Sequence, residues 1–390
     1  MKDLLTQIAN INSYSYNVEG LSKVKELLKS WYQNFENNCP KLKLKYEEFD
    51  LKPQKFISRS GQIEEKQLGK ALLISKEIDP NLPSILLMGH MDTVFPESLG
   101  FNECKDLGNG IMNGPGVSDL KGGLVVILKA LEKFENSELA DKLNWQVFFN
   151  PDEEVGSPGS SKIFPMLAEK NKWGLIYEPS LPDGSFTYRR KGAANYQLAI
   201  HGKASHVGRA FDEGTSAILI AAEFINQAQA LNENPNIIIN FGKIEGGGPL
   251  NIVPELAILG INIRIEENTD EKLVLKKLNQ IIDELQDKYS DAKFLLQGKF
   301  NRKPKGPNTE LDLLYEVLED CTKELNLDFK KRNTGGCCDG NNLWEYGLPN
   351  IDTLGVRGKD IHSTEEIIYL DSLEERTELS FLLLKRLALL

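Results

Sequence analysis

Short apolar runs that break off in polar clusters set the rhythm of this chain. Residues 84–88 run into Gly89-His90-Met91-Asp92, residues 145–149 into Asn150-Pro151-Asp152-Glu153-Glu154, and residues 174–177 into Glu178-Pro179-Ser180. Runs of this length without alternation predict strands buried on both faces. Between the first two, residues 122–134 repeat apolar side chains at helical spacing, and residues 4–35 predict one or two further helices. Buried strands alternating with helices predict an α/β domain built on a mostly parallel sheet.

The middle of the chain has a different order. Residues 193–201 read as a strand, 214–231 as a helix, and 236–245 and 255–265 as two strands joined through Gly246-Gly247-Gly248. Residues 270–289 form an amphipathic helical pattern and 292–297 a last strand. The sequence β-α-β-β-α-β is that of a ferredoxin-like α+β unit. It predicts a satellite domain at 189–301, inserted into a larger domain made of 1–188 and 302–390, with the stretch from Arg302 to Pro307 as the return hinge. Beyond Leu311 the chain resumes helix, strand and a final helix over 372–390.

Bulk properties narrow the function. At 390 residues, with 41% hydrophobic and 26% charged side chains, the chain predicts a soluble globular protein of two domains. Its 57 acidic against 46 basic residues give a net charge of −11, which argues against nucleic acid as a partner. No apolar run is long enough to cross a bilayer, and Met1-Lys2-Asp3-Leu4-Leu5 lacks the pattern of a secretory signal. Five cysteines without a C-x-x-C pair suggest neither a disulfide framework nor a thiolate zinc site; reduced thiols in a cytoplasm fit best.

Histidine is scarce, with only four in the chain, and three of these sit in Gly-rich or acidic motifs. His90, Glu153, Glu154 and Glu178 each follow an apolar run by a few residues. In open α/β sheets ligands bind beyond the carboxyl ends of the strands, so neighbouring parallel strands would bring these side chains to one rim. Asp119 lies in a loop leading into a helix, and His362 follows another strand-like run. Singly, each has an ordinary explanation: a hydrogen-bonded His-x-Asp pair, a solvated Glu-Glu loop, a Ser-Asp helix cap. Together, two imidazoles and several carboxylates suit zinc. Two zinc ions would bring four positive charges against three from Asp119, Glu154 and Glu178 and one from a bridging hydroxide, a near-neutral balance that a partly buried cluster requires. Of the adjacent pair Glu153 and Glu154, one would bind metal and the other stay free as a base.

These stretches resemble the dinuclear zinc family that includes carboxypeptidase G, aminoacylase, acetylornithine deacetylase and succinyl-diaminopimelate desuccinylase. The resemblance runs through Gly89-His90-Met91-Asp92-Thr93-Val94, Gly116-Val117-Ser118-Asp119-Leu120-Lys121-Gly122-Gly123, Pro151-Asp152-Glu153-Glu154-Val155-Gly156-Ser157, Tyr177-Glu178-Pro179, Gly202-Lys203-Ala204-Ser205-His206 and Ile361-His362-Ser363. It implies a zinc-hydrolase catalytic domain with a satellite dimerisation domain, and two zinc ions per chain, with cobalt or manganese as substitutes. Asp119 would bridge the ions, His90 and Glu178 would hold one, and Glu154 and His362 the other. Asp92 would orient His90 and Glu153 would be the general base. His206 would reach the other active site of a homodimer and support the oxyanion. Arg264 and Asn251 would hold the substrate's free carboxylate, and Gly335 and Gly336 would offer backbone N–H groups. The resemblance departs at Cys337-Cys338: family members commonly carry Ser or Thr where Cys338 stands. Extra ligands, redox-sensitive thiols and simple replacement are the alternatives, and replacement is the favoured one. His201 has no motif partner and reads as structural. The expected activity is cleavage of an amide beside a free carboxylate, glutamate-carboxypeptidase-like. The alternatives are an N-acyl-amino-acid deacylase and a catalytically silent binding homologue.

Overall fold

The computed structural model describes residues 1–390. A six-stranded sheet forms the centre of the larger domain. Its order is Lys45–Phe49, Ala71–Lys76, Asn144–Asn150, Ser84–His90, Trp173–Ile176 and Asn350–Ile351. The last four strands run parallel, and Ala71–Lys76 is antiparallel to both of its neighbours. Every residue of the Trp173–Ile176 strand is buried, as are all but the first of Ser84–His90. Burial on both faces is why these runs are apolar without alternation. Register places His90 beside Asn150 and Met88 beside Ile176. The polar clusters that follow these strands therefore leave the sheet at one edge.

Helix Gly122–Glu135 covers one face and packs against the final helix, Asp371–Leu387, so the two ends of the larger domain share one core. Gly123 permits that helix to start hard against the sheet: a Cβ there would lie 2.5 Å from the carbonyl oxygen of Tyr177. The N-terminal apolar pattern resolves into two helices, Lys2–Ala9 and Val18–Asn38.

The satellite is an antiparallel sheet in the order Ile237–Gly246, Leu256–Ile265, Gly192–His201, Lys293–Arg302. Helices Ala217–Ala228 and Asn268–Lys288 cover one face through Leu198, Ile200, Leu259, Ile261 and Ile263. The opposite face is polar and carries Asn195, Gln197, Asn262 and Arg264, as period-two alternation requires. The α/β fold with an inserted ferredoxin-like unit is thus the architecture observed.

Two features depart from the sequence reading. The last satellite strand extends beyond residue 297 to Arg302. Gly298 interrupts the apolar pattern there, yet its backbone packs so tightly that a Cβ would sit 2.3 Å from the Asn195 carbonyl oxygen. A hairpin of the larger domain, Gln54–Ile57 with Ile63–Lys66, lies against the polar face of the satellite sheet. Ile57 donates its N–H to Gln197 Oε1 at 2.7 Å, and Gln197 Nε2 donates back to the Ile57 carbonyl at 3.2 Å. His201, read as structural, lies with its Nε2 3.2 Å from the Gly61 carbonyl of this hairpin.

Candidate metal centre and substrate site

Asp119 faces two imidazoles at once. Its Oδ1 lies 3.1 Å from His90 Nε2, and its Oδ2 lies 3.2 Å from His362 Nε2. Glu178 Oε2 is 3.9 Å from the same His90 nitrogen, and Glu154 Oε2 is 3.3 Å from that of His362. The five side chains thus converge around the Asp119 carboxylate. Ligand atoms of His90, Asp119 and Glu154 all lie within 4.8 Å of one another, a spacing that one ion can span. His90 ends its strand and is buried, whereas His362 sits in a turn and keeps 52% of its side chain exposed. The cluster therefore opens to solvent on the His362 side. His362 holds its backbone at φ +63°, in the left-handed region that few non-glycine residues adopt.

The supports of these groups are built by backbone. Glu366 accepts N–H bonds from Gly116, Ser118 and Asp119 at 3.2, 2.9 and 3.0 Å, which fixes the turn that presents Asp119. Asp92 accepts the N–H groups of Glu153 and Glu154, each at 3.1 Å, and the Ser15 hydroxyl at 2.7 Å. His90 Nδ1 is nearer the Asp92 carbonyl oxygen, at 2.9 Å, than its carboxylate, at 3.4 Å. Asp92 thus orients His90 chiefly by its main chain and uses its carboxylate to hold the Glu153–Glu154 turn.

The neighbouring glutamates face different ways. Glu154 belongs to the histidine cluster, while Glu153 accepts a hydrogen bond from Arg302, which also reaches Asp339 Oδ1 at 3.4 Å. Burial pushes Glu154 up to about 8 and Glu153 up to about 7, and holds Glu178 well above the usual carboxylate range. Burial also opposes ionisation of Asp119, but hydrogen bonds from His362 and His90 hold it below its ordinary value. His362 rises to about 11, first through its hydrogen bond with Asp119 and then through that with Glu154. Burial would lower His90, yet hydrogen bonding to Asp119 and Asp92 holds it well above its ordinary value. Such shifts mark a pocket with more negative charge than its own cations can balance. The donor set and the missing positive charge fit divalent metal ions.

On the satellite, Arg264 Nη1 lies 3.0 Å from Cys337 Sγ and its Nε donates to Asn262 Oδ1 at 3.1 Å. Arg264 thus meets the loop that carries the exposed Gly335 and Gly336. His206 and Asn251 lie together elsewhere: the Asn251 carbonyl accepts the Val207 N–H at 2.9 Å, and His206 Nδ1 accepts the Gly208 N–H at 3.1 Å. Neither hydrogen-bonds to the His90–Asp119–His362 cluster of its own chain. Cys338 is buried, and its Sγ accepts the Gly340 N–H at 3.3 Å, capping helix Asp339–Glu345 in the way a Ser or Thr hydroxyl does. Cys337 Sγ donates to the Lys191 carbonyl at 3.0 Å. Sequence reasoning missed Arg302, taken as part of a hinge, and gave no role to Glu366. Nothing in the sequence pattern revealed that Asp339 shares Arg302 with Glu153.

The model of one protein family, "Peptidase family M20/M25/M40", matches residues 86–386. The chain belongs to this family. As an M20 metallopeptidase or amidohydrolase it is 29% identical over 285 residues to carboxypeptidase G2 of Pseudomonas sp. (strain RS-16), covering 72% of this chain and 68% of that protein. It is 25% identical over 299 residues to mouse aminoacylase-1, covering 70% and 72%. The M20 fold is seen again in a tripeptidase from Staphylococcus aureus, with a TM-score of 0.77 at 21% identity over 100% of this chain and 98% of the other. No helix of the chain is long and apolar enough to cross a membrane.

Proposed function

We propose that this M20 chain cleaves an amide or peptide bond next to a free carboxylate, with Glu153 as general base beside two divalent ions. The observation that carries the reading is the divergence of the adjacent glutamates: Glu154 joins the two-histidine cluster while Glu153 turns to Arg302. A carboxylate left off the metal can still take a proton; burial raises Glu153 to about 7 against the lowering pull of Arg302, whose guanidinium fixes its aim.

His90 and Glu178 would hold one ion, Glu154 and His362 the other, with Asp119 shared. Zinc suits this donor set. Bound there, divalent ions supply Lewis-acid polarisation of a carbonyl and acidify a water. Glu153 takes the proton from the attacking water and delivers it to the departing nitrogen. Arg264 grips the free carboxylate of the substrate, and the Gly335 and Gly336 N–H groups line its path. His206 and Asn251, remote from the cluster of their own chain, serve the facing active site of a homodimer, where His206 supports the developing oxyanion. Domain limits of 1–188, 189–301 and 302–390 frame this division of labour. The five free cysteines support residence in the reducing cytoplasm.

The similarity to carboxypeptidase G2 favours peptidase action on a carboxyl-terminal residue such as glutamate. The similarity to aminoacylase-1 keeps an N-acyl-amino-acid deacylase as the second reading. A panel of peptides and N-acyl amino acids, each with a carboxyl-amidated control, tests both. Turnover that is lost on amidation is expected; equal turnover of amidated and free substrates refutes the carboxylate requirement.

A further inference from the structure

A cleft of about 660 Å³ lies where the hairpin of residues 54–66 meets the polar face of the satellite sheet; Val155, Gly156 and Pro158, which follow Glu154, line it too, but no candidate metal ligand does. Its lining holds five cationic side chains and one carboxylate. Lys55, Arg59 and Lys66 come from the hairpin, and Lys243 and Lys299 from two satellite strands. On a chain whose acidic residues outnumber the basic ones by eleven, a randomly placed cavity would be acidic.

The charges are poorly balanced locally. Glu245 is shared between Lys243 at 3.1 Å and Arg59 at 3.5 Å. Lys55 has only a distant partner, Glu65 at 3.8 Å, and Lys66 lies over the rings of Tyr16 and Phe56. At the margin the crowding continues: the Lys162 ammonium is held below its ordinary value by repulsion from Lys52, with Lys299 adding to it. Five cations against one lining carboxylate leave an excess of positive charge on two facing walls, and low-dielectric protein behind them focuses that potential into the space between.

We propose that this cleft is a second binding site, for a small anion carrying several negative charges. A monoanion could pair with one wall only. A multiply charged phosphate ester or polycarboxylate reaches both walls and so ties the hairpin of the larger domain to the satellite. The cleft's volume is that of a small-molecule site, and the chain's net charge of −11 opposes a long polyanion. Two hydrogen bonds link the cleft to the candidate carboxylate clamp. Asn195, in its lining, accepts a hydrogen bond from Asn262 at 2.7 Å, and Asn262 in turn accepts from Arg264.

Isothermal titration of the metal-loaded protein with a hexose bisphosphate and, separately, with tricarballylate tests the proposal. The expected result is one molecule bound per chain by at least one probe, weakening with added sodium chloride. The probe that binds more tightly distinguishes a phosphate ester from a polycarboxylate ligand. The Lys243→Ala/Lys299→Ala double variant should bind about tenfold or more weakly. Arg59→Ala, an exposed change on the opposite wall, should weaken binding in the same direction. Failure of both probes to bind at low salt overturns the proposal. So does binding unchanged in the double variant with metal content intact, since the anion would then sit elsewhere, the metal centre included.

Discussion

Glu153 is hydrogen-bonded to Arg302, the terminal residue of the last satellite strand. The candidate base is therefore held by a residue on the segment that joins the two domains. Removing its charge should separate base from ligand. Glu153→Gln should lower kcat by about 10²–10⁴-fold while elemental analysis still finds near two metal ions per chain. Glu154→Gln should instead lose metal. Exchanged phenotypes would reverse the assignment within the pair.

Arg302→Ala should be severe for stability. It leaves Glu153 and Asp339 without their shared cation in a buried site, at a cost of about 3–5 kcal/mol. Urea unfolding of the variant and of Arg302→Lys would measure this, with Lys restoring part of the loss.

Arg264→Lys should raise KM more than it lowers kcat, because a lysine cannot reproduce the paired hydrogen bonds of a guanidinium with a carboxylate. Cys337→Ser beside it should change KM little. A large effect of the cysteine variant, with Arg264→Lys silent, would move the clamp to the thiol loop.

Acid stability should depend on Asp352. Arg190 binds its carboxylate twice, at 2.9 and 3.0 Å, and Lys305 reaches it at 2.7 Å. Burial opposes its ionisation, but Arg190 and Lys305 hold it below the usual carboxylate range. The folded value lies below the unfolded one, so the stabilisation is fully present above the unfolded value of about 3.9 and is lost as pH falls through the folded one. The stability gap between wild type and Asp352→Asn should thus be widest near neutrality and close in acid, as read by denaturation at stepped pH.

His206 offers a test of assembly. Inactive Glu153→Gln and inactive His206→Ala, refolded together, should regain activity in about one site in four if each site borrows His206 from the facing subunit. Monomers with full activity in sedimentation would exclude the crossing.

The parts of the fold legible in the sequence were those with a strong period. The buried parallel strands announced themselves as unbroken apolar runs, and the satellite by its β-α-β-β-α-β order. The strand through Gly298 and the polar hairpin were not legible, because their residues are chosen for close backbone approach and for contacts across the domain boundary, not for a local pattern. The convergence of His90, Asp119, Glu154, Glu178 and His362 was readable because each candidate ligand follows a strand or opens a turn. Arg302 and Glu366 were not, since a buried arginine and a carboxylate that binds only backbone N–H groups look like surface charges until the chain is folded.

The reach of Glu366 back to the Asp119 turn has a consequence for synthesis. The carboxylate that fixes this turn, and His362 just before it, leave the ribosome only when nearly all of the chain has been made. His90, Asp119 and Glu178 emerge early, without these late partners. A nascent or prematurely terminated chain therefore exposes His90, Asp119 and Glu178 without the His362 and Glu366 that complete the cluster.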